Sequence, residues 1–176
     1  LNILVSGISF YFYYREKNFK WNIFYPFAIT SIPCSFLGGL TTVDAKLYKI
    51  ILATLLLFAV FRLLGLFGKE KTTFKEINIP LALFIGAIIG FLSGLIGIGG
   101  GIILSPILLL LGWANMKQTA AVSALFIFVN SISGIFGFLS KGGEIPTSST
   151  LLIGIVFVGG FFGAYYGSKK FDTKIL

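Results

Sequence analysis

Residues 90–106 read G-F-L-S-G-L-I-G-I-G-G-G-I-I-L-S-P, and this stretch decides the fold. It lies inside an apolar run, 81–113, that carries no charged residue. A run of that length and character belongs in a bilayer. Gly97, Gly99, Gly100 and Gly101 nevertheless oppose an unbroken helix, because glycine gives up more backbone freedom than any other residue on becoming helical. Lipid tolerates broken backbone only where protein or a water-lined cavity satisfies the freed polar groups. The break is therefore expected to build a site.

The rest of the 176-residue chain agrees with membrane residence. It is 56% hydrophobic and 11% charged, and its mean hydropathy of +0.97 exceeds what a soluble domain of this size could bury. The net charge of +8 sits in short connectors between apolar runs, where it sets orientation and meets lipid headgroups; nucleic acid is not an expected partner. One cysteine, Cys34, excludes a disulfide framework within the chain. The apolar segments are 1–14, 22–40, 47–67, 80–97, 101–113, 119–140 and 149–167, most of them near the ~20 residues a spanning helix needs.

Charge assigns the sides. If 80–97 and 101–113 enter and return as a hairpin, one side holds ten basic residues (Arg15, Lys17, Lys20, Lys69, Lys71, Lys75, Lys117, Lys169, Lys170, Lys174) and the other three (Lys46, Lys49, Lys141). Were 80–113 a single broken crossing, the split would be seven against six. The positive-inside bias favours the hairpin, with the lysine-rich connectors cytoplasmic.

A shift of 128 overlays two regions without a gap: Asn2 on Asn130, Phe10 on Phe138, Gly39 on Gly167, Asp44 on Asp172 and Lys46 on Lys174. The two copies face opposite sides, which is the plan of inverted-repeat transporters. The expected architecture is an all-α polytopic membrane protein of two inverted-topology repeats with glycine-broken helical hairpins. Residues 1–68 form most of repeat one, 69–79 a cytoplasmic linker, and 80–176 repeat two. Unit one's own hairpin would precede Leu1, and the last helix of unit two would be cut at Leu176.

The pattern G-x3-G-x2-S-G-x2-G-x-G-G-G-x4-P is carried by Gly86, Gly90, Ser93, Gly94, Gly97, Gly99, Gly100, Gly101 and Pro106. A-x-S follows at Ala121 and Ser123, then N-S-x-S-G at Asn130, Ser131, Ser133 and Gly134. Together these resemble the sulfite exporter TauE/SafE family of membrane permeases, over the whole chain. The resemblance implies a multi-pass inner-membrane transporter that moves sulfite, sulfonates or related small anions outward. After Pro33 the small residues of unit one stand as Cys34, Ser35, Gly38 and Gly39, a mild departure in packing.

The candidate substrate-binding residues are Ser93, Gly97, Gly99, Gly100, Gly101, Ser123, Asn130 and Asn2, the last as the repeat mate of Asn130. Consecutive N–H groups at 97–101 and the N-terminus of the following helix would hold an oxyanion without any cation. The plain alternative is a tight hairpin whose glycines only pack. Ser123 and Asn130 read equally as anion donors or as interhelical glue or groups bonded back to i−4 carbonyls, whereas for Ser131 glue or a bond back to its own helix is expected. Gly86-x3-Gly90-x3-Gly94 and Gly159-x3-Gly163-x3-Gly167 read as close-packing stripes. Arg62, within a span, is expected to snorkel toward the basic connector. Asp44 and Asp172 read as helix-starting anions, with Thr41 or Thr42 as alternative caps, and Trp21, Trp113, Tyr13 and Tyr14 as interfacial anchors.

There is no His, and all six acidic residues lie in connectors, so the chain carries no intramembrane carboxylate or imidazole relay. No metal-ligand spacing, P-loop, dinucleotide fingerprint or nucleophile–base pair is present, so neither an enzyme nor a cofactor is expected. The expected partners are a small anion and the lipid bilayer, with a homodimer allowed. A permease of the same fold for another anion, and a non-transporting scaffold or sensor subunit, are the rival readings.

Overall fold

The computed structural model describes residues 1–63, 75–143 and 150–169. These form seven helices in chain order: α1 (Asn2–Arg15), α2 (Trp21–Leu40), α3 (Ala45–Leu63), α4 (Ile79–Ile96), α5 (Gly101–Leu111), α6 (Met116–Ser140) and α7 (Thr150–Lys169). No strand occurs among the described residues. Among them α2, α4 and α6 are long and apolar enough to cross a bilayer, and α5 is a shorter apolar helix.

Local chemistry sets the boundaries. Asn78 caps α4 by accepting the Leu81 N–H at 3.1 Å, and Pro80 occupies the first turn, where its missing N–H costs nothing. Asn115 and Gln118 form a reciprocal capping box at the start of α6. Asp44 Oδ2 accepts the Lys46 N–H at 3.1 Å at the start of α3. Thr41 serves the preceding helix instead, its hydroxyl donating to the Leu37 carbonyl at 2.9 Å. Asp172, Lys69, Lys71, Lys174 and the 144–146 connector lie outside the described residues, as does the side chain of Arg62.

The hairpin is closed at its base. The Lys75 N–H, ahead of α4, donates to the Gly112 carbonyl, just past α5, at 2.8 Å. Helices α4 and α5 therefore go in and come back, and the connectors 16–20, 75–78 and 112–115 share one end of the bundle, where Phe19, Ile77 and Trp113 join one apolar cluster. At the opposite end Lys141 Nζ donates to the Thr41 carbonyl at 2.9 Å, which caps α2.

Helix α2 packs most extensively on α4 and also on α6; α1 packs on α6 and α7, and α3 touches α5. Lipid tails are as apolar as leucine, so these interfaces rely on close approach and polar ties. A Cβ added at Gly86 would meet the Phe27 carbonyl oxygen at 2.7 Å, and Cβ atoms at Gly90 and Gly94 would overlap the backbones of Ser31 and Ser35. Three side chains tie α2 to α4 and α6: Thr30 Oγ1 to the Leu83 carbonyl at 2.7 Å, Ser35 Oγ to the Asn130 carbonyl at 2.8 Å, and Ser133 Oγ to the Ile32 carbonyl at 2.6 Å.

Two expectations change. The α4 stripe packs as read, but among the described residues Gly159 and Gly163 of α7 meet nothing within 4 Å, and of that stripe Gly167 alone has a neighbour, the Tyr13 hydroxyl at 3.1 Å. A small-residue stripe signals that backbones can approach; it does not say which ones have done so. Trp113 and Tyr13 are buried, each only 7% exposed, and Trp113 packs against Phe27 with ring centroids 6.1 Å apart. Trp21 and Tyr14 are exposed as anchors should be. Trp113, just past α5, joins the apolar cluster that holds Phe27 of α2, so it packs inward rather than meeting headgroups.

Candidate functional site

The break is built by left-handed glycines. Gly97 ends α4 at φ +79°, with its N–H on the Ser93 carbonyl at 2.8 Å; Gly99 and Gly100 follow at φ +82° and +75°. A side-chain-bearing residue in this region costs roughly 1–2 kcal/mol. Helix α5 begins immediately, and the Gly100 carbonyl accepts from both Ile103 and Leu104 at 3.1 Å. Among the described residues the backbone N–H groups of 98–102 make no hydrogen bond. Five consecutive free donors at the start of a helix form a concentrated positive end.

Helix α6 supplies the wall opposite. A Cβ on Gly99 would lie 2.9 Å from Ser131 Oγ, one on Gly100 3.0 Å from the Phe126 ring, and one on Gly101 would overlap Ile127. Ile127 and Ser131 stand eleven and fifteen residues (127 − 116 and 131 − 116) into the 25-residue helix, so the turn sits near the middle of its length. At about 100° of rotation per residue, Asn130 lies between Phe126 and Ile127 on that same face, one turn further along.

The sequence candidates divide into three arrangements. Asn2 donates from Nδ2 to the Gly97 carbonyl at 3.0 Å, which brings α1 to the turn. Ser93 is 3% exposed, lies beside Gly100, and its hydroxyl has no partner; together with Leu56, Ile96 and Ile103 it lines a small apolar hollow at the turn. Ser123 pairs with Ser105, Oγ to Oγ at 2.9 Å, while Ser105 also lies 2.8 Å from the Gly101 carbonyl it donates to. Asn130 is fully buried; its Nδ2 bonds back to the Phe126 carbonyl at 2.8 Å, and its Oδ1 has no partner.

Ser131 departs from expectation. Its hydroxyl does not bond back to its own helix; it is buried without a partner, against Gly99. Sequence offers no signal for this, since Ser133 in the same motif donates across to α2 and only the facing helices distinguish the two. No group of three or more His, Cys, Asp or Glu residues suited to a metal occurs among the described residues.

This chain belongs to the sulfite exporter TauE/SafE family, whose sequence profile matches residues 1–175. It is 31% identical to a probable membrane transporter protein of Sinorhizobium fredii over all of this chain and 73% of that protein. It is 30% identical to a probable membrane transporter protein of Methanocaldococcus jannaschii, over 79% of this chain and 53% of that one. A 26% identical stretch covering 59% of this chain and 22% of the relative matches a sulfite exporter TauE/SafE family protein of Arabidopsis thaliana. No solved structure matches the chain significantly. The protein is thus a multi-pass membrane transporter by family, with helices long enough to span.

Proposed function

We propose that this member of the sulfite exporter TauE/SafE family exports small oxyanions such as sulfite or organosulfonates across the inner membrane, with the glycine turn as its anion site. The observation that carries this reading is the row of free N–H groups at 98–102, half way along α6 and faced by the unpartnered Ser131 hydroxyl. Such a site binds an anion through neutral donors and a helix dipole, without the cost of burying a cation. The scaffold reading is disfavoured by the same feature, because a scaffold has no use for freed donors at depth.

The inverted repeat extends the proposal to alternating access. Adding 128 to the bounds of α2 gives 149–168, one residue from the observed α7. The same shift carries α1 onto the second half of α6. An exchange of units then turns the α1–α7 contact into the α6–α2 contact, and both contacts occur. In this reading one unit rocks against the other about a fixed midplane site, and residues 1–68 and 80–176 are the two moving bodies. The test is tracer efflux from vesicles carrying the complete protein: labelled sulfite should leave wild-type vesicles and stay in vesicles bearing Gly99→Val at equal protein density.

A further inference from the structure

The turn supplies donors, yet the most deeply buried polar side chain on the face of α6 that walls it offers an acceptor. Asn130 is 0% exposed, and its Oδ1 has no hydrogen-bond partner. The orientation of its amide is fixed by its neighbour: the end that meets the Phe126 carbonyl at 2.8 Å must be the NH2, since two oxygens would repel. The free atom is therefore an oxygen, and a buried oxygen without a donor is costly unless a ligand or water supplies one.

Charge points the same way. Helices α1, α2, α4, α5 and α6 carry cations only at or just beyond their ends, at Arg15, Lys20, Lys117 and Lys141. The desolvation cost of an ion rises with the square of its charge, so neutral N–H and O–H donors suit one negative charge far better than two.

We propose that, among the small oxyanions of that reading, the site prefers the singly protonated form of a tetrahedral or pyramidal oxyanion, with one negative charge and one O–H, so that an organosulfonate, which has no O–H, is carried but bound more weakly. The free N–H groups of 98–102 and the Ser131 hydroxyl bind the unprotonated oxygens, and Asn130 Oδ1 accepts the ligand's O–H. Asn130 is thereby a specificity-determining residue. This inference rests on the anion-site reading above and adds the protonation state of the substrate to it.

The test uses two probes of equal shape and charge. At mildly acidic pH, methylphosphonate is a monoanion with one O–H, and methanesulfonate is a monoanion with none. Each is offered as competitor against labelled sulfite efflux from vesicles carrying the complete wild-type protein. Methylphosphonate should compete at least about tenfold better, the discrimination that one buried hydrogen bond supports. Asn130→Leu, which removes the acceptor at similar volume, should abolish that preference. Equal competition by both anions in wild type, with efflux present, overturns the protonated-anion proposal and leaves the anion site standing. Absence of sulfite efflux, together with failure of either anion to raise the thermal midpoint of the purified protein, overturns the anion site itself. The wild-type comparison decides the matter even if a variant fails to insert.

Discussion

The side-chain amide of Asn2, the first residue of α1, donates to the carbonyl of Gly97, the left-handed residue that closes α4, at 3.0 Å. Residues 95 positions apart in sequence are joined by this bond, which links α1 to the broken hairpin of α4 and α5. Asn2→Leu should cost only about 1 kcal/mol of stability, because the partner carbonyl is not deeply buried. Efflux should fall more than stability does, since the turn loses its anchor. Thermal melting and vesicle efflux of the same preparation check this; unchanged efflux would make the bond incidental.

Gly97 and Gly99 share a left-handed backbone but differ in their surroundings. A Cβ at Gly97 meets nothing within 4 Å, whereas one at Gly99 meets Ile127 and Ser131. Gly97→Asn should therefore be tolerated, at about 1 kcal/mol or less, since Asn adopts this conformation readily. Gly99→Val and Gly100→Val should abolish efflux while protein remains in the membrane, because a β-branched side chain opposes positive φ and fills the site. Efflux that survives both valines would reduce the turn to packing.

The α2–α4 contact predicts a steep packing penalty. Gly90→Ala and Gly94→Ala each place a methyl on the α2 backbone and should lower stability by roughly 1–3 kcal/mol or more. Gly154→Ala, with nothing within 4 Å among the described residues, should be neutral or stabilising by up to about 1 kcal/mol through helix propensity. Thermal midpoints in detergent distinguish them, and equal behaviour of Gly94 and Gly154 would contradict the close approach.

Sidedness follows from the closed hairpin and the distribution of charge. In a Cys34→Ser background, single cysteines at Lys17 and Lys75 should resist impermeant thiol reagents in intact cells, and one at Gly142 should react. The opposite pattern would invert the assignment, and labelling of all three would break the bundle ends described above.

Much of this was legible in the chain. Helix bounds fall within a few residues of the apolar runs, because the length of a span is set by the bilayer and its ends by local caps such as Asn78 and Asn115. The breakpoint was legible because left-handed backbone is a local demand that glycine meets. Position at the end of an apolar run does not reveal the burial of Trp113, because the cluster around Phe27 that takes it in is assembled from distant helices. Ser131 was misjudged because a helical serine has a bonding partner available in its own helix, and sequence does not reveal that it goes unused.

The sequence by itself determined membrane residence, the seven helical segments, the glycine break and the charge bias that favours a hairpin, since each depends on residue type and neighbours along the chain. Tertiary structure alone decided which of the polar groups are satisfied. Ser35 and Ser133 spend their hydroxyls on facing carbonyls, while Ser93 and Ser131 remain unpartnered at the turn and Asn130 Oδ1 remains unpartnered within α6. It also decided that, among the described residues, the α4 glycines, and not Gly159 or Gly163, meet another backbone. The reason is physical: hydrogen bonds and steric contacts belong to pairs of atoms, and what stands opposite a residue is fixed only when helices distant in sequence have packed.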